Sequence, residues 1–131
     1  MRTYSVEEAR ALLPAVVPVL ERLRAAAQEL QAVRAAASVD ARGASADGAL
    51  TADPWADASG ENVPERLGRV VQEALAQLGE WAIEVKDPVQ GLIDFYHERS
   101  GAVVFLCYLL GEPEIAYWHT IGGGFAGRRP L

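Results

Sequence analysis

Four side chains in the last third of this 131-residue chain have the chemistry to hold a metal ion or to drive a reaction: Asp94, Cys107, Glu112 and His119. A carboxylate, a thiol and an imidazole can together ligate a divalent transition metal, and the same three groups can operate as orienting acid, nucleophile and base. They are far apart in sequence, so any joint role depends on the segments that carry them. The runs GLIDFYHE, AVVFLCYLL and EIAYWHT are short, aromatic and β-branched, with RSG and GEP between them, which predicts a three-stranded antiparallel meander. A two-residue turn at Ser100 and Gly101 pairs Arg99 with Ala102 and sets Asp94 opposite Cys107. A three-residue loop at Glu112, Pro113 and Glu114 would face Gly111 with Ile115 and put Cys107 opposite His119, whereas a slip of one residue would bring Trp118 there instead. In the first register Asp94, Cys107 and His119 form one row, Tyr96, Phe105 and Tyr117 form the next, and His97 lies on the opposite face.

The structural alternative for the same row is a small buried thiol, a carboxylate receiving backbone or arginine hydrogen bonds, and a satisfied histidine near the sheet edge. Nothing in the spacing alone decides between this and a ligand set.

The C-terminal segment HTIGGGFAGRRPL offers a second candidate. Gly122, Gly123 and Gly124 permit a sharp turn and exposed amides, and Arg128 and Arg129 could close over a small anion there, with Trp118 as an aromatic wall. The competing expectations are ion pairs from the arginines to Glu112, Glu114 or Asp94, core packing by Tyr117 and Trp118, and Phe125 as a plug that pins the tail to the body. GGGFAG matches the GxGxxG pattern of dinucleotide sites, but four residues remain after it, too few for the helix and acidic residue that pattern requires. HTIGGG is similar to an oxyanion-donating glycine stretch of esterases, yet the chain has no GxSxG nucleophile turn.

In the N-terminal half, SVEEARALL places Ser5 three residues before Glu8, a capping box that starts a helix near Val6. Leu13, Val16, Leu20, Leu23, Ala27, Leu30 and Ala37 then recur at spacings of three and four, with Val33 beside the seam, over a helix of residues 5–37. Pro14 and Pro18 fall inside it and predict a kink or a broken first segment. Residues 38–61 are small and turn-prone and predict a long connection. Val63, Leu67, Val70 or Val71, Ala74, Leu78 and Trp81 mark a second helix over 62–83, paired antiparallel with the first. A first helix of about 45 Å outruns such a partner and leaves an apolar stripe for a second subunit, which predicts a homodimer through the long helices. The strands are apolar at odd and even positions alike, so both sheet faces should be covered, one by the helices and the other by the tail, the long connection or a partner.

Eighteen acidic against twelve basic residues give a net charge of −6, which disfavours nucleic acid and anionic membrane surfaces as partners. The N-terminal MRTYSVEEARALLP has no apolar stretch of signal-peptide length, and charges interrupt every apolar run before the roughly 18 residues of a membrane span, so the expected location is cytoplasmic. The lone Cys107 forms no internal disulfide, and no CxxC pair supplies a zinc framework.

YSVEEARALLP, VKDPVQGLIDFYHERSG and VFLCYLLGEPEIAYWHTIGGGFAGRRPL together resemble the bacterial domain-of-unknown-function family 2203. The resemblance covers nearly the whole chain outside 38–61 and includes Asp94, Cys107, Glu112, Tyr117, Trp118, His119, Gly124 and Arg128; Tyr108 stands where the family pattern often has tryptophan. It implies a small prokaryotic protein with a helical hairpin and a β part, and it implies no reaction.

The sequence therefore predicts a single α+β domain over 1–131: a long antiparallel helical hairpin, a three-stranded antiparallel meander and an ordered C-terminal tail. Its expected function is a non-enzymatic binding or interaction module with a divalent transition metal site (Asp94, Cys107, Glu112, His119) or a small-ligand site (Trp118, Gly122, Gly123, Gly124, Arg128, Arg129) in the β part. The alternative is a metal-dependent or thiol enzyme using Asp94, Cys107 and His119.

Overall fold

The computed structural model describes residues 2–43 and 62–131. Helix α1 spans Val6–Gly43 and begins at the expected capping box: the Ser5 amide donates to Glu8 Oε1 at 2.9 Å and the Glu8 amide donates to Ser5 Oγ at 3.0 Å. It continues unbroken through Pro14 and Pro18, so of the expected kink or break the break does not occur. Both prolines lie on its exposed side, where water can reach the carbonyls they leave without an amide donor, while Ala9, Leu13, Val16, Leu20 and Leu23 stay buried. The buried seam goes on through Ala26, Leu30 and Val33. It takes Ala26 in place of Ala27, and Ala37 is exposed. The helix extends past residue 37 to Gly43, which corrects the start of the predicted 38–61 connection; the rest of it, 44–61, lies outside the described residues.

Helix α2, Val63–Glu80, starts where the Asn62 side chain accepts the Glu65 amide at 2.8 Å. It stops at Glu80 because Ala82 adopts φ +57 and the chain passes directly into a strand. The two helices pack on one another. Leu67 joins Ala26, Leu30 and Val33 in one cluster, and Ala74 and Leu78 join Leu13, Val16, Leu20 and Leu23 in another.

The sheet has five antiparallel strands in sequence order rather than three: β1 Ile83–Asp87, β2 Leu92–Arg99, β3 Ala102–Leu109, β4 Tyr117–His119 and β5 Arg129–Pro130. β1 alternates Ile83 and Val85 with Glu84 and Lys86, a period-two pattern hidden behind the end of α2. The β2–β3 turn is as predicted: Arg99 pairs with Ala102, and Ser100 (φ +51) and Gly101 (φ +78) take the left-handed conformations of a type I′ hairpin.

One face of the sheet lies on the helices, with Ile83, Ile93, Phe95, Leu106 and Tyr108 in the α1 and α2 core. Tyr4 ties this layer together: its amide donates to Tyr96 O at 2.7 Å, its hydroxyl donates to Trp81 O at 2.6 Å, and its ring meets Phe95 edge-on at 5.4 Å. His97, on the same face, holds the Tyr4 carbonyl through Nδ1 at 2.6 Å. The opposite face carries Asp94, Phe105, Cys107 and His119, all buried although no helix among the described residues covers them. Long side chains close it, with the Lys86 ammonium over the Phe105 ring at 4.5 Å and the Arg128 guanidinium over Tyr117 at 4.1 Å.

A buried Asp–Cys–His candidate site

Asp94 faces Cys107 across β2 and β3, as read from the turn. The second hairpin differs: Cys107 pairs with Tyr117 and Phe105 pairs with His119, a shift of two residues from the predicted Cys107–His119 pairing. The cause is Glu112, which folds back on β3. Its backbone amide donates to Leu109 O at 3.0 Å, its carboxylate accepts the Leu109 amide at 2.7 Å, and its carbonyl accepts the Tyr108 hydroxyl at 2.9 Å. Because strand side chains alternate with period two, an even shift keeps His119 on the face of Cys107, diagonal rather than opposite. Tyr96, Phe105 and His119 make the neighbouring row, with ring separations of 4.9 Å and 5.5 Å.

One ligand-capable atom from each of Asp94, Cys107 and His119 lies within 4.8 Å of the others, and the three residues are at most 2% exposed. His119 Nε2 stands 3.1 Å from both Asp94 oxygens, and Nδ1 is 2.7 Å from the Thr120 carbonyl. A carbonyl only accepts, so Nδ1 carries a proton and Nε2 is directed at the carboxylate. A bare Nε2 lone pair facing an ionised carboxylate would be repulsive, so one further proton is shared by this pair. Burial raises the Asp94 carboxyl pKa, against the opposing pull of His119 and of a hydrogen bond from the Cys107 thiol. Burial first, and then the Asp94 charge, push the Cys107 thiol up to about 12. A thiol in that state is a poor nucleophile at neutral pH.

Glu112 sits outside this cluster and is committed elsewhere. Arg128 donates through one terminal nitrogen to its two oxygens at 2.7 Å and 2.8 Å, one of the ion pairs anticipated for the arginines. Arg128 also contacts the rings of Tyr117 and Phe125, at 4.1 Å and 4.7 Å. Arg129 follows it on a strand and so points the other way, over Trp118 at 5.5 Å, where Arg99 also lies at 4.6 Å. The two arginines therefore do not converge on one anion, and Trp118 packs on the helix-side core. Gly122, Gly123 and Gly124 form an exposed turn in which the Gly123 amide already donates to Thr120 O at 3.0 Å. Phe125 is 47% exposed rather than a buried plug.

The sequence placed Tyr96 in the row beside Asp94 but did not bring Glu84 and Lys86 of β1 to its other flank. The Lys86 ammonium donates to Glu84 at 2.8 Å, and Glu84 is hydrogen-bonded to Tyr96. The alternation in IEVKD was the available signal. A separate cavity of about 420 Å³, lined by Leu13, Pro14, Val17, Pro18 and Tyr108, lies on the helix side of the sheet, away from the Asp–Cys–His cluster.

No helix among the described residues is long and apolar enough to cross a membrane. No curated protein and no solved structure matches the chain. The family model described as "Uncharacterized conserved protein (DUF2203)" matches residues 2–131, essentially the full length over which the helices, the sheet and the Asp94, Cys107 and His119 cluster are built, and the chain belongs to that family.

Proposed function

We propose that this protein is a non-enzymatic binding module whose sheet holds one divalent transition metal through Asp94, Cys107 and His119. The observation that carries the reading is the convergence of three buried ligand atoms within 4.8 Å, one of them an imidazole nitrogen whose ring partner is already fixed by a backbone carbonyl. That arrangement is how protein metal sites orient histidine. Ligand atoms around a tetrahedral zinc ion stand about 3.3–3.8 Å apart, given metal–ligand bonds of about 2.0–2.3 Å, so a small contraction of the cluster forms the site. A carboxylate, a thiolate and an imidazole also balance a divalent charge, which suits a buried position.

The raised thiol pKa and the carboxylate beside it argue against a free-thiol nucleophile. The low exposure of all three ligands favours binding over turnover of a substrate of any size. The test is metal content by plasma mass spectrometry after purification without chelator. The reading expects about one equivalent in the unaltered protein and loss in Cys107→Ser and His119→Ala; protein that remains metal-free when offered zinc or cobalt would contradict it.

For the helices, we propose an antiparallel hairpin that dimerises along α1. The sharing of clusters between the later part of α1 and the start of α2, and between the earlier part of α1 and the end of α2, supports the pairing. The lengths support the dimer: 38 residues against 18, or about 57 Å against about 27 Å.

A further inference from the structure

Helix α1 bears a cost that its packing does not explain. Pro14 and Pro18 each deny the helix one hydrogen bond, and both are exposed, so burial does not require them. Such departures from local propensity concentrate at functional sites. In an α-helix the carbonyl of each residue points at the amide four residues on, so the acceptors left over are those of Arg10 and Pro14. A proline ring also presses on that carbonyl and turns it off the helix axis. Arg10 and Pro14 both line the cavity of about 420 Å³ between α1 and the loop that carries Pro113 and Glu114. With Leu13, Val17 and Pro18 they form a stripe whose spacing of three and four keeps it on one side of the helix.

We propose that this cavity binds a small organic ammonium ion with an apolar body, its N–H groups donating to the Arg10 and Pro14 carbonyls and to the Glu114 carboxylate. The volume falls within the range of ligand pockets, about 300–1,000 Å³. Leu13, Val17 and Pro113 supply apolar walls, and the Tyr108 ring completes them with its hydroxyl committed to Glu112 O at 2.9 Å. Against the three acceptors stands Arg10 alone as a cation among the described lining residues, and it is already held: Nε donates to Ile115 O at 3.0 Å, and Nη2 lies 3.6 Å from Glu114 Oε1. The second contact is longer than a hydrogen bond, which leaves the carboxylate lone pairs for a ligand. Burial raises the Tyr108 hydroxyl pKa and the charges of Glu112 and Glu21 add to it, so the field at that wall is negative and suits a cation. The site is independent of Asp94, Cys107 and His119, which lie on the other face of the sheet.

The probe is 2-phenylethylammonium, titrated into the full chain at neutral pH and followed through the protein resonances by NMR. Two analogues with the same aromatic ring separate the interactions: the N-trimethylated ion keeps the charge but has no N–H, and phenylacetate reverses the charge. The primary ammonium should shift resonances of Leu13, Val17 and Glu114 and bind about 10-fold more tightly than the trimethylated ion, and phenylacetate should leave them unmoved. In the double variant Pro14→Ala, Pro18→Ala the restored amides occupy both carbonyls, so the protein should melt at a higher temperature while the preference for the primary ion narrows. Adding Glu114→Gln should abolish that preference. Equal affinity for the primary and trimethylated ions in the unaltered protein, or a preference that survives all three substitutions, would overturn the proposal. Absence of ammonium binding would overturn it as well, and a dimer mass that the proline substitutions abolish would then assign the cavity to a second copy of the chain.

Discussion

His119 holds the Thr120 carbonyl through Nδ1 at 2.7 Å and places Nε2 at 3.1 Å from both oxygens of Asp94. The first contact fixes the ring and its tautomer, and the second leaves a single proton shared between imidazole and carboxylate. A divalent ion seated between them must displace that proton, as it must displace the proton on Cys107.

Loading the site should therefore release about two protons per ion at neutral pH. Calorimetric titration of zinc in buffers of different ionisation enthalpy measures the number directly. Binding without proton release would contradict the ligand set.

Without metal, Cys107 should behave as an inert thiol. At about 12, its pKa leaves almost no thiolate near neutrality. Chelator-treated folded protein should react with iodoacetamide only as fast as it unfolds, and rapid stoichiometric alkylation at pH 7.5 would be inconsistent with this. The same shift has a sign in stability. The folded protein keeps a proton that the unfolded chain loses above the ordinary value of 9.0, so the contribution is complete below pH 9 and declines as pH climbs toward 12. In Cys107→Ser this part of the alkaline decline should vanish from urea-unfolding curves of the metal-free protein.

Gly91 links β1 and β2 at φ +76, and a Cβ there would come 2.8 Å from Leu110 Cβ. Its amide donates to Asp87 O and its carbonyl accepts the Leu110 amide, both at 2.9 Å, so the backbone has little room to adjust. Gly91→Ala should cost about 2 kcal/mol or more of unfolding free energy. A denaturation midpoint equal to that of the unaltered protein would show that the turn relaxes freely.

Dimerisation along α1 predicts a light-scattering mass of twice 14.1 kDa that falls on dilution or on replacing exposed α1 residues with charge. A concentration-independent monomer would remove that proposal and leave the metal site untouched.

The parts of the fold visible in the sequence were those fixed by local chemistry. The Ser5–Glu8 box and the spacing of Leu13, Val16, Leu20 and Leu23 marked α1, and Ser100–Gly101 fixed a hairpin because two left-handed residues in succession permit little else. The unbroken passage through Pro14 and Pro18 was not legible, since burial of the opposite stripe outweighs local propensity. The second hairpin was misplaced by two residues because Glu112 spends both its backbone and its carboxylate on β3, a tertiary arrangement that no turn signature announces. Asp94, Cys107 and His119 still share one face because strand parity, rather than the exact partner, decides which face a side chain takes. β1 and β5 escaped notice for a different reason: one continues directly from a helix, and the other is two residues long.

X-ray absorption at the metal edge of the zinc-loaded protein tests the central claim most directly. A first shell containing one sulfur at about 2.3 Å and nitrogen or oxygen scatterers at about 2.0–2.1 Å, with imidazole outer-shell features lost in His119→Ala, is the predicted result. A shell of nitrogen and oxygen alone, unchanged in Cys107→Ser, would contradict it.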